Sequence, residues 1–186
     1  FPQRISGRSR PTLRQPPRCS YRVSTAQSPP LADVLRYAAA AWQLFRVGQS
    51  IDRALTTALA ERAELRPSVQ DALYTAVRHL AASERLVEWL AARAPASDVA
   101  ALLAVALAQL QRGRHAGHTL VDQTVAAAQQ SPSTRAASGF INAVLRNFLR
   151  QQATLFSELQ ADETVRYNLP AWWIGRLRAE YPHEWT

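Results

Sequence analysis

This chain of 186 residues is poor in several residue types, and each scarcity excludes a class of protein. The single cysteine, Cys19, excludes an internal disulfide and a cysteine-based zinc cluster. No run of eighteen apolar residues without a charge is present, so we expect no membrane span. A charged-then-apolar leader is missing as well, and the expected location is therefore the cytoplasm.

Alanine is the residue that is abundant, with 34 copies against only six glycines. Alanine is the strongest helix former, and no long run of alternating apolar and polar residues predicts a strand. The length is enough to bury about two thirds of the surface of the unfolded chain. The composition therefore predicts one all-α domain.

The net charge of +8 is unevenly distributed. Residues 1–22 contain six arginines and no acidic residue, whereas from Val23 onward 16 arginines face 14 acidic residues, a net charge of +2. The basicity of the whole chain is thus no evidence that the domain itself binds nucleic acid.

Residues 1–30 contain six prolines and no apolar periodicity, and we interpret them as a disordered tail. Three explanations for it stay open. It has the composition of an organellar transit peptide, or of a basic arm that adds phosphate contacts. Alternatively, residues 1–22 are not native coding sequence. The chain has no methionine and no lysine, which is typical of GC-rich DNA, and Val23 would be an ordinary start if a GUG codon were read there.

Apolar residues at helical spacing, separated by short polar turns, predict a bundle of about seven helices over residues 31–160. Ser50 and Ser97 are expected to cap helices, and the apolar stretch from Val99 is expected to be the central buried helix. Six of the expected helices cover about Leu31–Val47, Ile51–Leu65, Glu84–Arg93, Val99–Leu110, Thr119–Gln129 and Ser138–Leu159. A further helix is expected to begin near Pro67.

The most informative segment is the start of the last long helix, SGFINAVLRNFLR over residues 138–150. Asn142, Arg146 and Arg150 are spaced four apart and stack on one side. The other side is apolar and predicts a core-facing stripe. That stripe consists of Phe140, Ile141, Val144, Leu145, Phe148 and Leu149.

A second distinctive segment, NLPAWWIGRLRAEYPHEW, covers residues 168–185 and contains a short helix that begins after Pro170. We interpret residues 161–186 as a connector. Its aromatic residues need a surface that covers them. Packing of Trp172 and Trp173 within the connector is favoured over stacking on unpaired bases. Tyr181 and Trp185 are the other two aromatic residues that we expect to contact a covering surface.

These two segments resemble known proteins. The Gly139–Arg146 motif resembles the closing helix of NusB-like domains, and the connector resembles the segment that follows this domain in bacterial small-subunit rRNA cytosine-C5 methyltransferases of the B type. The Leu35-Arg36 opening is similar to NusB-like helix one, and residues 71–78 and 118–125 match more loosely. Ala76 stands near an expected glycine, and Gln123 replaces the usual glutamate.

The resemblance implies a helical domain that binds small-subunit rRNA and precedes a methyltransferase domain using S-adenosylmethionine. The chain itself then contains no catalytic residue and no cofactor site, and it is a fragment, expected to be monomeric. The candidate RNA-binding residues are Arg36, Arg78, Asn142, Arg146 and Arg150.

Each candidate has an alternative explanation. The arginines form an ordinary solvated helix face, Asn142 caps a neighbouring loop, and Arg78 pairs with Asp71 or Glu84. His115 and His118 lack the further ligands that a metal site requires. We expect no metal.

Three functions follow from this sequence. The leading hypothesis is an RNA-positioning module of an rRNA cytosine-C5 methyltransferase. The second is a free-standing NusB-type antitermination factor, and the connector after Gln160 argues against it. The third is a helical protein–protein adaptor without RNA affinity, which the nearly neutral body keeps open.

Overall fold

The computed structural model describes residues 29–184, so Cys19, Trp185 and the predicted tail up to residue 28 lie outside the described residues. Every regular element in this part is helical, which confirms the all-α prediction. No helix of residues 29–184 is both long and apolar enough to cross a membrane. The α-helices are α1 (Leu31–Arg46), α2 (Ile51–Ala58), α3 (Arg66–Arg78), α4 (Leu80–Leu90), α5 (Ser97–Arg112), α6 (Gly117–Gln130), α7 (Pro132–Arg135), α8 (Ser138–Ala161), α9 (Glu163–Tyr167) and α10 (Ala171–Glu180).

Helix α5 is the centre of the bundle. It contacts α1, α3, α4, α6 and α8, and every residue from 101 to 110 is buried. The one polar side chain in that stretch, Gln109, donates from Nε2 to the carbonyl of Ala72 at 3.2 Å, so its burial leaves this amide donor paired. The predicted central helix is confirmed. The helix ends at Arg112, and the next residue, Gly113, has a φ of +68°, a left-handed conformation that costs glycine little.

The second helix is shorter than predicted. It ends at Ala58, and a turn leads to a 3₁₀ helix at Ala63–Leu65. Both Leu59 and Leu65 are buried. In one continuous helix these two residues, six apart, would point in directions about 120° apart. Breaking the helix lets both leucines reach the core, which periodicity alone could not show.

The two predicted caps have different outcomes. Ser50 accepts a hydrogen bond from the Arg53 amide at 3.4 Å and caps α2, as expected. The prediction that Ser97 caps α5 is wrong, because the helix already begins at Ser97 and its N-cap residue is Ala96. The Ser97 hydroxyl instead lies 3.5 Å from Asp98 Oδ1.

Helix α8 buries four of the six residues assigned to its apolar stripe. These are Ile141, Val144, Leu145 and Phe148. Leu149 is half-buried, and the expectation for Phe140 was wrong, since 38% of it is exposed. Phe140 lies at the edge of the stripe, about 100° from Ile141, in the first turn of the helix.

The start of the connector packs against the bundle. Asp162 caps α9 by accepting from the Thr164 amide at 2.9 Å, and Arg85 of α4 donates to its other oxygen at 3.0 Å. The Asn168 side chain accepts from the Ala81 amide at 3.0 Å and donates to the Val77 carbonyl at 3.2 Å. Helix α9 is therefore held at the junction between α3 and α4.

The aromatic residues of the connector are less packed than expected. Trp172 is 70% exposed, Trp173 45% and Tyr181 52%, whereas Ile174 is buried. The two indole rings stack, with centroids 6.1 Å apart and planes 15° apart. The two rings contact each other, but much of their surface is exposed, so packing within the connector stays a prediction.

Candidate functional site

Ion pairing divides the sixteen arginines of the described residues into two groups. Nine lie within 4.0 Å of a carboxylate. The others form no ion pair within residues 29–184, so their charges are not neutralised by a carboxylate at close range. These seven are Arg53, Arg78, Arg93, Arg135, Arg146, Arg150 and Arg166.

Two of the seven lie on the outer side of α8, as the sequence predicted. Arg146 and Arg150 are both exposed. Arg146 Nε donates to Asn142 Oδ1 at 2.9 Å, and Arg150 donates to Asn147 Oδ1 at 3.3 Å. An amide partner orients a guanidinium without cancelling its charge, so both groups remain able to bind an anion. We call Asn142, Arg146 and Arg150 the α8 row.

Arg36 is in a different environment from the α8 row. Its guanidinium lies 3.6 Å from Asp33 and 4.2 Å from the centre of the Tyr37 ring, and its Nε is buried without a hydrogen-bond partner. Arg62 approaches the same carboxylate at 3.6 Å and also pairs with Glu64 at 2.5 Å. That hydrogen bond lowers the pKa of the Glu64 carboxyl.

Helix α6 separates Arg36 from the α8 row. Arg36 lines a cavity with Ala127 of α6, whereas Asn142 lines a groove with Asp122 and Ala126. Ala126 and Ala127 differ by about 100° around the helix. Arg36 and Asn142 therefore meet α6 at different positions around its axis. The replacement at Gln123 has a structural role, since its side-chain oxygen accepts the Ala32 amide of α1 at 3.2 Å.

Arg78 lies away from this surface, at the last residue of α3. Neither expected pairing of Arg78 is formed: Glu84 pairs with Arg46 at 2.8 Å, and Asp71 pairs with Arg112 and Arg114 at 2.7 and 2.9 Å. The hydrogen bond from Arg112, supported by the charges of Arg114 and Arg78, lowers the pKa of Asp71. One carboxylate thus faces three arginines, and positive charge remains in excess.

Sequence reasoning missed Arg62 and Arg166. Arg62 follows α2 and reaches Asp33 only because the chain reverses there. Arg166 is on the short helix α9, and with Arg78 it lines a groove. Neither has a local spacing that would reveal its neighbours. Among residues 29–184, no three histidine, cysteine or acidic side chains gather where they could hold a metal.

Several known proteins that are similar to this chain share one name. Ribosomal RNA small subunit methyltransferase B of Vibrio cholerae serotype O1 is 31% identical over 155 residues, which is 80% of this chain and 35% of that protein. The protein of the same name from Pseudomonas syringae pv. tomato is 39% identical over 93 residues, 50% of this chain and 20% of its own length. That of Escherichia coli O6:H1 is 35% identical over 122 residues, 63% of this chain and 28% of that protein.

The chain spans about a third of the length of the Vibrio relative and less of the other two. A family model also matches residues 37–150, more than half of the chain. That region runs from α1 to the Arg150 end of the α8 row, so it contains the buried core around α5 and both sides of α6. The chain belongs to the NusB family.

Proposed function

We propose that this chain is the RNA-binding domain of a small-subunit rRNA cytosine-C5 methyltransferase. The observation that supports it most strongly is the α8 row. It presents two exposed guanidiniums that no carboxylate of the described residues neutralises, on a domain whose relatives are rRNA methyltransferases. Guanidiniums bind phosphate oxygens through paired, charge-assisted hydrogen bonds.

RNA contacts by Arg36 and Asn142 belong to the same proposal. Arg36 is half-exposed, and its ion pair with Asp33 is long, so a phosphate that approaches from solvent competes for it at low cost. Asn142 orients Arg146 through its side-chain oxygen and also lines the groove beside α6. RNA would then lie across the exposed side of α6, between Arg36 and the α8 row.

In the proposed whole protein, the methyl group comes from S-adenosylmethionine bound in a methyltransferase domain, which this chain does not supply. The exposed surface of Trp172, Trp173 and Tyr181 is the proposed contact with that domain, and Trp185 continues the same segment. The Vibrio relative aligns over 155 residues, more than the region of the family match, and this extent favours a methyltransferase over a free-standing antitermination factor.

Salt-dependent binding of the whole chain to a small-subunit rRNA fragment tests the proposal. If each arginine of an Arg146→Ala/Arg150→Ala variant contacts one phosphate, the slope of log K against log salt falls by about 1.4, and binding at 0.1 M salt weakens about 25-fold. The matched control is Arg53→Ala/Arg93→Ala, which removes two equally exposed and unpaired arginines elsewhere. Equal weakening by both variants would show only a general charge effect. Absence of wild-type binding at low salt would refute the RNA-binding function and favour the adaptor.

A further inference from the structure

A second basic surface lies at the other end of α8. A groove of about 520 Å³ is formed where α8 and α9 meet the junction of α3 and α4. None of the lining residues in the described part of the chain is acidic. Its polar lining is provided by Arg78, His79, Gln111, Gln160, Arg166 and Asn168. We call it the Arg78 groove.

Two of the seven arginines without an ion pair in the described residues, Arg78 and Arg166, line this groove. They are 88 positions apart in the sequence, and the Asn168 side chain fixes their relation. It bonds to Val77 next to Arg78 and to Ala81 beyond it, while its own backbone lies two residues after Arg166. These hydrogen bonds therefore hold the backbone segments that carry the two arginines next to each other.

Further charge surrounds the groove. Burial, together with the charges of Arg112 and Arg78, lowers the pKa of His79. Arg112 and Arg114 share the single carboxylate of Asp71, so the region keeps an excess of positive charge. Such an excess without an acidic lining favours an anion with several oxygens, and the amide group of Gln160 adds hydrogen-bond donors.

The Arg78 groove and the α8 row are aligned along one helix. Gln160 lies eighteen residues after Asn142. Eighteen residues make five turns of an α-helix, so both residues are on the same side of α8, about 27 Å apart. A polynucleotide that follows this side of α8 from the α8 row reaches the groove without crossing the bundle.

We propose that the Arg78 groove binds a backbone phosphate of the RNA strand that contacts the α8 row. This inference rests on the proposed function. It adds His79, Arg166 and the rest of helix α9, which belongs to the connector, to the proposed RNA-binding surface. If both arginines hold one phosphate, replacing them should lower the slope of log K against log salt by about 0.7. Binding at 0.1 M salt should then weaken about fivefold.

The test compares the wild-type chain with Arg78→Ala/Arg166→Ala in salt-dependent binding to a small-subunit rRNA fragment. Both arginines are exposed, and neither pairs with a carboxylate of the described residues, so the variant is expected to fold, which circular dichroism checks. A second variant, Gln160→Glu, adds a carboxylate to the groove and is expected to weaken binding as well. The Arg53→Ala/Arg93→Ala variant again serves as the control for loss of charge.

A second measurement follows the imidazole of His79 in the wild-type chain by NMR. A phosphate bound beside it offsets the neighbouring positive charges, so RNA is expected to raise the pKa of His79. Wild-type RNA binding that the groove variants leave unchanged would overturn this inference and leave the proposed function intact. No wild-type binding would overturn both. A pKa increase with inorganic phosphate but not with RNA would show a site for free phosphate and also overturn the inference.

Discussion

Asn168 should stabilise the junction between the bundle and the connector through two long-range hydrogen bonds. Its side-chain oxygen accepts the amide of Ala81, which is in the first turn of α4, where the helix offers no carbonyl partner. Its amide nitrogen donates to the carbonyl of Val77 in the last turn of α3. Asn168 also has a φ of +50°, a left-handed conformation that asparagine tolerates better than alanine.

Two substitutions separate these contributions. Asn168→Gly keeps the left-handed backbone but removes both hydrogen bonds, each of which contributes about 0.5–1 kcal/mol at an exposed site. We expect the free energy of unfolding to fall by about 1–2 kcal/mol. Asn168→Ala loses the same bonds and adds about 1 kcal/mol of backbone strain, so the expected loss is about 2–3 kcal/mol.

Urea denaturation of both variants measures these losses, and amide hydrogen exchange shows where they act. The Ala81 amide should exchange faster in either variant, while amides in the middle of α5 should change only through global unfolding. Asn168→Asp is the control, since it keeps the oxygen that accepts from Ala81. Equal losses in the glycine and alanine variants would refute the argument from φ. A loss below about 0.3 kcal/mol in both would show that the hydrogen bonds do not stabilise the fold.

Three further predictions concern other parts of the chain. A Cβ at Gly117 would lie 2.9 Å from Leu149 Cδ2. Gly117→Ala requires the flexible end of the Leu149 side chain to move. We therefore expect it to raise the free energy of unfolding by up to about 1 kcal/mol in a Leu149→Ala background and by less in the wild type. Equal effects in both backgrounds, measured by urea denaturation, would contradict the clash. Trp172→Ala should change the free energy of unfolding by less than about 0.5 kcal/mol, because 70% of the residue is exposed, and a larger loss in thermal denaturation would mean that its ring is packed. The pKa of Asp71 is lowered chiefly by Arg112, so its contribution to stability is complete above its unfolded pKa of about 3.9 and is lost as the pH falls through the folded pKa. Asp71→Asn should therefore show a weaker loss of stability below about pH 4 than the wild type, and parallel curves would refute the interaction.

The long helices could be predicted from the sequence because their signals are local. The stretch from Val99 to Leu110 is apolar on every side, and only a central helix can bury such a surface. The alternation of polar and apolar positions in α8 likewise placed Arg146 and Arg150 outside and Phe148 inside. These features depend on spacing within one element, which the order of residues fixes directly.

Elements that end for tertiary reasons could not be predicted in the same way. Helix α2 stops early because Leu59 and Leu65 must both reach the core. The short helix α9 is capped by Asp162, but its position depends on Arg85 and Asn168. The sequence of this segment does not show that it packs at the end of α3.

The same distinction, between features of one helix and contacts between helices, applies to the candidate surfaces. The all-helical class, the central helix and the exposure of Arg146 and Arg150 could be read from the sequence alone, because each follows from the period of a single helix. Three other arrangements depend on the packing of the helices: Arg36 and Asn142 both lie beside α6, Asp71 pairs with Arg112 and Arg114, and Arg166 lines one groove with Arg78. Which charges meet depends on contacts between residues far apart in the chain, and those contacts are set by how the apolar sides of the helices pack together.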